Sequence, residues 1–339
     1  MIGLETEDLK PPRMTVVVVN YNGGDYLQGC LHSLAEQTFR DFETILVDNA
    51  STDGSLDRLI GLPPDCRIIR SDRNLGFAAA NNLAAKQARG EWLVLLNPDA
   101  EAMPDWLEEL LRAAERRPDH RMLASLQLSM DAPDQLDGAG DCYLAYGFAW
   151  RGGHGHHVPQ CLPAGICFAP CGAAAMYPRD VFLDAGGFDE KYFCYHEDVD
   201  LGFRLRLMGE SCQFVPTARI RHAGSAISGR RSEFSTFHGV RNGIWTYLKN
   251  MPLELLCLTL PIWAAGLIAL LVRGCFRGTF IATWRGIGAG LSGYRHALIE
   301  RQEMKGRRSA DVAEMGAAFC WNPLAFLQRQ IVVRPFRDV

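Results

Sequence analysis

From residue 15 to residue 96 the chain alternates between short unbroken apolar runs and segments whose apolar residues recur every three to four positions. Residues 15–19 are a β-branched run, the pattern of a strand buried on both faces. Residues 26–37 place Leu27, Cys30, Leu31 and Leu34 on one helical face. Residues 42–47 predict a second strand, closed by the turn-rich segment DNASTDG at 48–54. A short helix over 55–60, a strand over 66–70 and an Ala-rich helix over 77–89 follow. A fourth strand, 92–96, ends in Asn97-Pro98-Asp99. Strands alternating with helices predict an α/β fold with an open, mostly parallel central sheet, its ligands at the strand carboxyl ends.

The pattern loosens from about 122 to 215. A Gly- and His-rich loop occupies 147–157, helices are expected at 180–186 and 198–208, and a short strand at 212–216. Residues 255–272 then form an uncharged apolar run closed by Arg273, near the ~18 residues at which a membrane-spanning helix becomes a candidate. A milder apolar segment, 279–299, carries Trp284 and Tyr294, and the remainder, 300–339, is polar and Arg-rich. The expected organisation is a tail at 1–13, an α/β domain at 14–250, an apolar helical membrane-associated hairpin at 251–299 and a basic tail at 300–339.

Composition narrows the class. With 48% hydrophobic and 22% charged residues in 339, the chain is neither disordered nor a polytopic membrane protein. Its net charge of −4 provides no general basic field for nucleic acid. Eleven scattered cysteines, an odd number, read as reduced thiols. Residues 1–14 lack the apolar core of a signal peptide.

Three polar clusters carry candidate chemistry. Asp48 ends a strand at the mouth of the sheet, where a carboxylate can accept hydrogen bonds from a nucleobase or ribose; an Asx turn, with Asp53 and Ser55 as helix caps, explains the same segment. Asp99 ends another strand at the same edge and suits a hard divalent cation, although Asn-Pro is also a strand-terminating turn. The segment 195–200, YHEDVD, is the densest acidic cluster. Asp200 and Arg204 are spaced for a structural pair, leaving Glu197 and Asp198 to face a cleft as a general base would. An ordinary acidic helix N-terminus gives the same composition. The histidines and cysteines of 154–171 match no familiar zinc spacing. His222, taken alone, reads as a structural histidine.

Six segments in order, VVVVNYN (16–22), LVDNASTDGS (46–55), RNLGFAAANN (73–82), LLNPDA (95–100), GAAAMYPRDVFLDAGGFDE (172–190) and YHEDVDLGFRLRLMG (195–209), resemble glycosyltransferase family 2, over about 14–249. The resemblance implies the nucleotide-sugar-binding GT-A fold. Within the family the chain resembles bacterial enzymes that add rhamnose or similar sugars to cell-surface polysaccharide precursors. It implies that Asn20, Tyr21 and Asn22 line the nucleotide, that Asp48 pairs with the base, and that Arg73 and Asn74 approach the phosphates and sugar. Asp99 matches the last acidic residue of the family's Asp-x-Asp element. Asn97 stands where the first Asp would be, a departure that points to weaker or water-mediated metal binding. Glu197 and Asp198 match the Glu-Asp pair whose second member is usually the base, and His222 lies where some members supply a metal ligand.

The implied reaction is inverting transfer from a nucleotide-diphosphate sugar to a hydroxyl of a lipid-linked or polysaccharide precursor, aided by Mg²⁺ or Mn²⁺ and without nucleic acid. A catalytically inactive scaffold that binds a partner or polysaccharide is the alternative that Asn97 keeps open. A nucleotidyltransferase would want a cationic Gly-rich loop that 20–24 lacks. Cations on both sides of the apolar run, including Arg230, Arg231, Arg241, Lys249, Arg295 and Arg301, favour docking on the cytoplasmic face of the membrane without a net crossing. A helical pair buried against the catalytic domain or a partner is the competing arrangement.

Overall fold

The structure, a computed structural model, describes residues 10–224 and 232–336; residues 1–9, 225–231 (with Arg230 and Arg231) and 337–339 lie outside the described residues. The chain opens with β1 (Met14–Asn20), α1 (Tyr26–Ala35), β2 (Phe42–Asp48), β3 (Cys66–Arg70), α2 (Gly76–Gln87) and β4 (Trp92–Leu96). The four strands pair in parallel, in the order β3-β2-β1-β4. β1 and β2 are buried along their whole length because both faces are covered. Alternate residues point to opposite sides. Val17, Val19, Ile45 and Val47 meet the alanines of α2. Val16, Val18 and Leu46 meet Leu27, Leu31 and Leu34 of α1.

The short helix expected at 55–60 does not form. The Asp53 carboxylate accepts from the Ser55 amide at 3.0 Å, and Gly61 turns the chain with φ of 70° before Pro63 and Pro64. Local side-chain bonding competes there with helix propagation.

The loosely patterned middle is more ordered than its periodicity suggests. It contains β5 (Ala100–Ala102), α3 (Trp106–Arg116), β6 (Met122–Ser129), β7 (Leu136–Ala139), the hairpin β8 (Asp141–Leu144) and β9 (Phe148–Arg151), and β10 (Gly165–Cys167). Then come β11 (Ala174–Pro178), α4 (Arg179–Asp184), a 3₁₀ turn (Glu190–Tyr192), α5 (Glu197–Leu207) and β12 (Cys212–His222). β11 runs antiparallel to β4 and β6, so the sheet is parallel on one side of β4 and mixed on the other. β12 is longer than the strand expected at 212–216. It passes Pro216 through an irregularity between Val215 and Arg219 and continues to His222, carrying that histidine to the sheet edge.

Among the described residues six helices follow: α6 (Glu233–Asn250), α7 (Leu253–Arg277), α8 (Phe280–Ser292), α9 (Tyr294–Lys305) and, in the last segment, α10 (Val312–Ala318) and the short α11 (Pro323–Leu327). Gly286 and Gly290 let α8 approach α6. A Cβ on Gly286 would lie 2.9 Å from the Phe237 carbonyl oxygen. α7 is long and apolar enough to cross a membrane by length and composition. One side of it is buried, through Thr259, Trp263 and Leu267, with Trp263 stacked on Tyr247 at 4.7 Å. Leu258, Ile262, Ile268, Val272 and Phe276 are exposed. After α11 the chain returns to the catalytic sheet, where Ile166 and Arg334 exchange backbone hydrogen bonds of 2.7 and 2.9 Å.

Candidate active site

At the carboxyl edge of β1, β4 and β12 lies a cleft of about 760 Å³. Strand ends, residues 149–151 of β9, the starts of α2 and α5 and part of α6 line it. Tyr21, Asn74, Asn97, Asp99, Glu197, Asp198 and His222, all singled out in the sequence, line it together.

The remaining expected residues stand behind or beside it. Asn20 is fully buried. Its amide donates to Asp48 at 3.2 Å, to Ser51 at 2.9 Å and to Ser55 at 3.0 Å. The Asn22 side-chain oxygen accepts from the Thr52 backbone amide at 2.8 Å. These two asparagines therefore hold the 48–55 turn, and Asp48 sits buried within that frame. Asn49, next to it, lines the cleft and bonds Asn74 at 2.9 Å. Arg73 is exposed and is not among the cleft-lining residues.

His222 is the centre of a buried polar chain. Its Nδ1 lies 2.7 Å from the Asp137 carboxylate. A carboxylate can only accept, so Nδ1 carries a proton; Nε2, turned toward the cleft, also faces a carboxylate and donates to it whenever it is protonated. Nε2 lies 3.2 Å from Asp99 Oδ1 and 3.3 Å from Asn97 Nδ2. Burial works to lower the His222 pKa, but the hydrogen bonds to Asp137 and Asp99 carry it above the ordinary histidine value. Asp137 is also paired with Arg151. Burial alone would raise its carboxyl, and the Arg151 guanidinium, His154 and His222 instead hold it far below the usual range. The donor set suits a divalent cation. A carboxylate and an imidazole nitrogen oriented by a second carboxylate converge, beside an Asn97 Oδ1 that is buried without a hydrogen-bond partner among the described residues.

Opposite stands Asp198, in the first turn of α5. Its Oδ2 accepts from the Gly172 amide at 2.8 Å and its Oδ1 from the Val199 amide at 2.8 Å. Asp141 and Cys171 lie with it, their ligand atoms within 4.8 Å of one another. Burial, then the Asp198 charge, pushes Asp141 well above the carboxylate range. Burial likewise raises the Cys171 thiol, so burial disfavours negative charge on both groups beside Asp198. Glu197 is raised well above its ordinary value by burial and by Asp198, and its Oε2 is buried without a hydrogen-bond partner among the described residues. Asp200 and Arg204 form the expected pair at 2.8 Å.

The loop leading into α5 is held from α6. Phe193, Tyr195 and His196 have left-handed φ of 65°, 73° and 67°. The Asn242 amide donates to the carbonyls of Tyr192, Cys194 and Tyr195 at 2.7–3.0 Å. Asp137, Asp141, Arg151 and Asn242 were not singled out in the sequence. A signal for the first two existed in the closely spaced aspartates of QLDGAGD, 135–141.

A half-parallel sheet with acidic groups at its strand ends, facing a carboxylate at a helix start, is the arrangement of a GT-A glycosyltransferase. Residues 15–183 match Glycosyl transferase family 2. The N-acetylglucosaminyl-diphospho-decaprenol L-rhamnosyltransferase of Mycobacterium tuberculosis is 31% identical over 242 residues, covering 64% of this chain and 78% of the relative. The chain belongs to glycosyltransferase family 2 and is a glycosyltransferase. Among solved structures, GalNAc-T7 with UDP, GalNAc and Mn²⁺ is similar with a TM-score of 0.55 at 18% identity, over 71% of this chain and 48% of that one. The mannosyltransferase PcManGT from Pyrobaculum calidifontis, in complex with GDP-Man and Mn²⁺, gives 0.51 at 18% identity, over 88% and 86%. These two likenesses concern the fold.

Proposed function

We propose that the enzyme transfers a sugar, rhamnose first among candidates, from a nucleotide-diphosphate donor to a hydroxyl of a lipid-linked precursor, with inversion at the anomeric carbon. The observation that carries the reading is one cleft with Asp99 and His222 on one wall and Asp198 on the other. The M. tuberculosis relative supports both the sugar and the kind of acceptor. Work at the cytoplasmic face of the membrane follows from a soluble donor meeting a lipid-borne acceptor, and the exposed apolar side of α7 agrees with it.

In this reading Tyr21, Asn49 and Asn74 border the donor, within the frame that Asn20, Asn22 and Asp48 hold. Asp99 and His222 hold a divalent cation, Mg²⁺ or Mn²⁺, which when bound offsets charge on the donor diphosphate. Asp198 takes the proton of the acceptor hydroxyl as that oxygen forms its bond to the anomeric carbon. The bond from that carbon to the diphosphate breaks, its electron pair leaving with the phosphate oxygen. Two backbone amides orient Asp198, and burial disfavours negative charge on the neighbouring Glu197 and Asp141.

The test is transfer by the full chain from a panel of nucleotide sugars, dTDP-rhamnose included, to a short-chain prenyl-diphosphate N-acetylglucosamine. Product anomers are read by NMR and nucleoside diphosphate release by coupled assay. One donor should support acceptor-dependent release with an inverted product, lost with chelator and restored by Mg²⁺ or Mn²⁺. Retained configuration would rule out the role given to Asp198, and full activity in excess chelator would rule out the one given to Asp99 and His222.

A further inference from the structure

A second cavity, of about 410 Å³, lies across β9 from the catalytic cleft. Ala149, Trp150 and Arg151 line both, so one strand is the shared wall. Three guanidinium groups border the second cavity, from segments far apart in sequence: Arg151 on β9, Arg273 on α7 and Arg329 just after α11. Its carboxylate is Asp137, already bonded to His222 and Arg151, with His154 beside it. Among the described lining residues, three arginines and one histidine stand against one carboxylate. The rest is apolar, from Trp150, Phe326 and Leu327, and Leu327 is 68% exposed. On α7, Val272 and Phe276 flank Arg273 and face outward.

A cationic pocket with a greasy exit suits an anion attached to a hydrocarbon chain. Guanidinium groups favour phosphate because their planar forks match its oxygens. We propose that this cavity binds the diphosphate of a lipid-diphosphate-linked acceptor, with Arg151, Arg273 and Arg329 facing its phosphates and the lipid leaving over Phe326, Leu327 and the outer face of α7. The first sugar of that acceptor then reaches over β9 into the catalytic cleft, where its hydroxyl meets Asp198. The inference rests on the glycosyl-transfer reading and adds to it the seat of the acceptor's anionic group.

The test uses the full chain in detergent and farnesyl diphosphate as the probe, with inorganic pyrophosphate and farnesol as comparators. Farnesyl diphosphate should bind more tightly than either comparator. Arg273→Gln combined with Arg329→Gln should weaken it by roughly tenfold or more, the loss expected for charge-assisted phosphate contacts. Replacing the same pair by Lys should restore part of the affinity. Pyrophosphate binding as tightly would mean a site for free anions, farnesol binding as tightly a merely greasy pocket, and an unchanged double variant no role for these cations; each overturns the proposal. A diazirine-bearing farnesyl diphosphate on the unaltered protein avoids any folding defect. It should label Trp150, Phe326 or Leu327, and labelling confined to α8 and α9 would place the lipid diphosphate elsewhere. Neither readout requires turnover. Binding without any sugar transfer would therefore remove the catalytic reading and keep the site. Transfer with an unaltered acceptor KM in the double variant would do the reverse.

Discussion

Asp198 and Glu197 are adjacent in sequence and opposite in circumstance. Asp198 opens on the cleft and accepts from two backbone amides, whereas Glu197 is buried with an oxygen that bonds nothing among the described residues. Asp198→Asn should therefore lower turnover by ~10²–10⁴-fold, as for a missing general base, while nucleotide binding stays nearly intact. Initial rates and thermal stabilisation by nucleoside diphosphates check this, and a variant above a tenth of wild-type turnover would move the role to Glu197. Asp137 never enters the catalytic cleft's lining, yet it fixes which nitrogen of His222 is presented. Asp137→Asn should weaken Mn²⁺ binding about 10- to 100-fold, the usual effect of losing a carboxylate behind a metal-bound histidine. Titration followed by electron paramagnetic resonance measures it, and unchanged affinity would show that His222 needs no such support. Asp48, Asp99 and Asp198 were legible in the sequence because each ends or begins an element, and periodicity marks those boundaries. Asp137 and Arg151 were not. Their partners lie 85 residues away at His222 and 14 away across a turn, and only tertiary folding joins them.

Among elements, α6 ties the catalytic sheet to the helices after it. Its Lys249 is buried and bonds Asp189 at 2.8 Å and Asp200 at 3.1 Å, while His296 of α9 lies 2.7 Å from Asp189. Burial by itself would raise both carboxyls. His296 and Lys249 instead hold Asp189 well below the usual carboxylate range, and Lys249 and Arg204 hold Asp200 below it. Folded-state values below the unfolded ones mean that these groups stabilise the fold above about pH 4 and lose that contribution as the pH falls further. The unfolding midpoint should drop steeply below about pH 4. Lys249→Met should cost about 3–5 kcal/mol at neutral pH, because two buried carboxylates lose their cation. Urea unfolding across pH 3–7 tests both, and a flat profile would mean that the network contributes nothing net. The apolar run at 255–272 announced α7 plainly. The α6–α8 contact could not be read, since Gly286 and Gly290 look like helix weaknesses until Phe237 and Ile244 are seen against them.

For the whole molecule, one side of α7 is covered by Tyr247 and the β8–β9 hairpin and the other carries exposed Leu, Ile, Val and Phe. A helix half covered by its own protein suits lying in the lipid interface better than crossing it alone. The full chain should sediment with anionic-lipid vesicles. Replacing Ile262, Ile268 and Phe276 by Ser should release most of it to the supernatant without lowering the unfolding midpoint by more than a few degrees. Binding that survives those substitutions would move the docking surface elsewhere. In sealed right-side-out spheroplasts, cysteines introduced beyond Glu300 should stay unlabelled by impermeant reagents, and labelling would establish a true span.

The left-handed residues before α5 have a consequence for how this enzyme can change over time. Phe193, Tyr195 and His196 each carry a side chain in a backbone region that favours glycine, at about 1–3 kcal/mol apiece. Selection for heat resistance alone would find glycine at 195 or 196 among the easiest gains in this chain. The same substitutions would keep the carbonyls that Asn242 holds but remove side chains packed on Phe234 and against Gly243 of α6, and so loosen the aim of Asp198. Lineages that evolve under thermal stress should therefore keep the awkward residues and gain their stability elsewhere, and a laboratory screen blind to turnover should return robust, sluggish proteins.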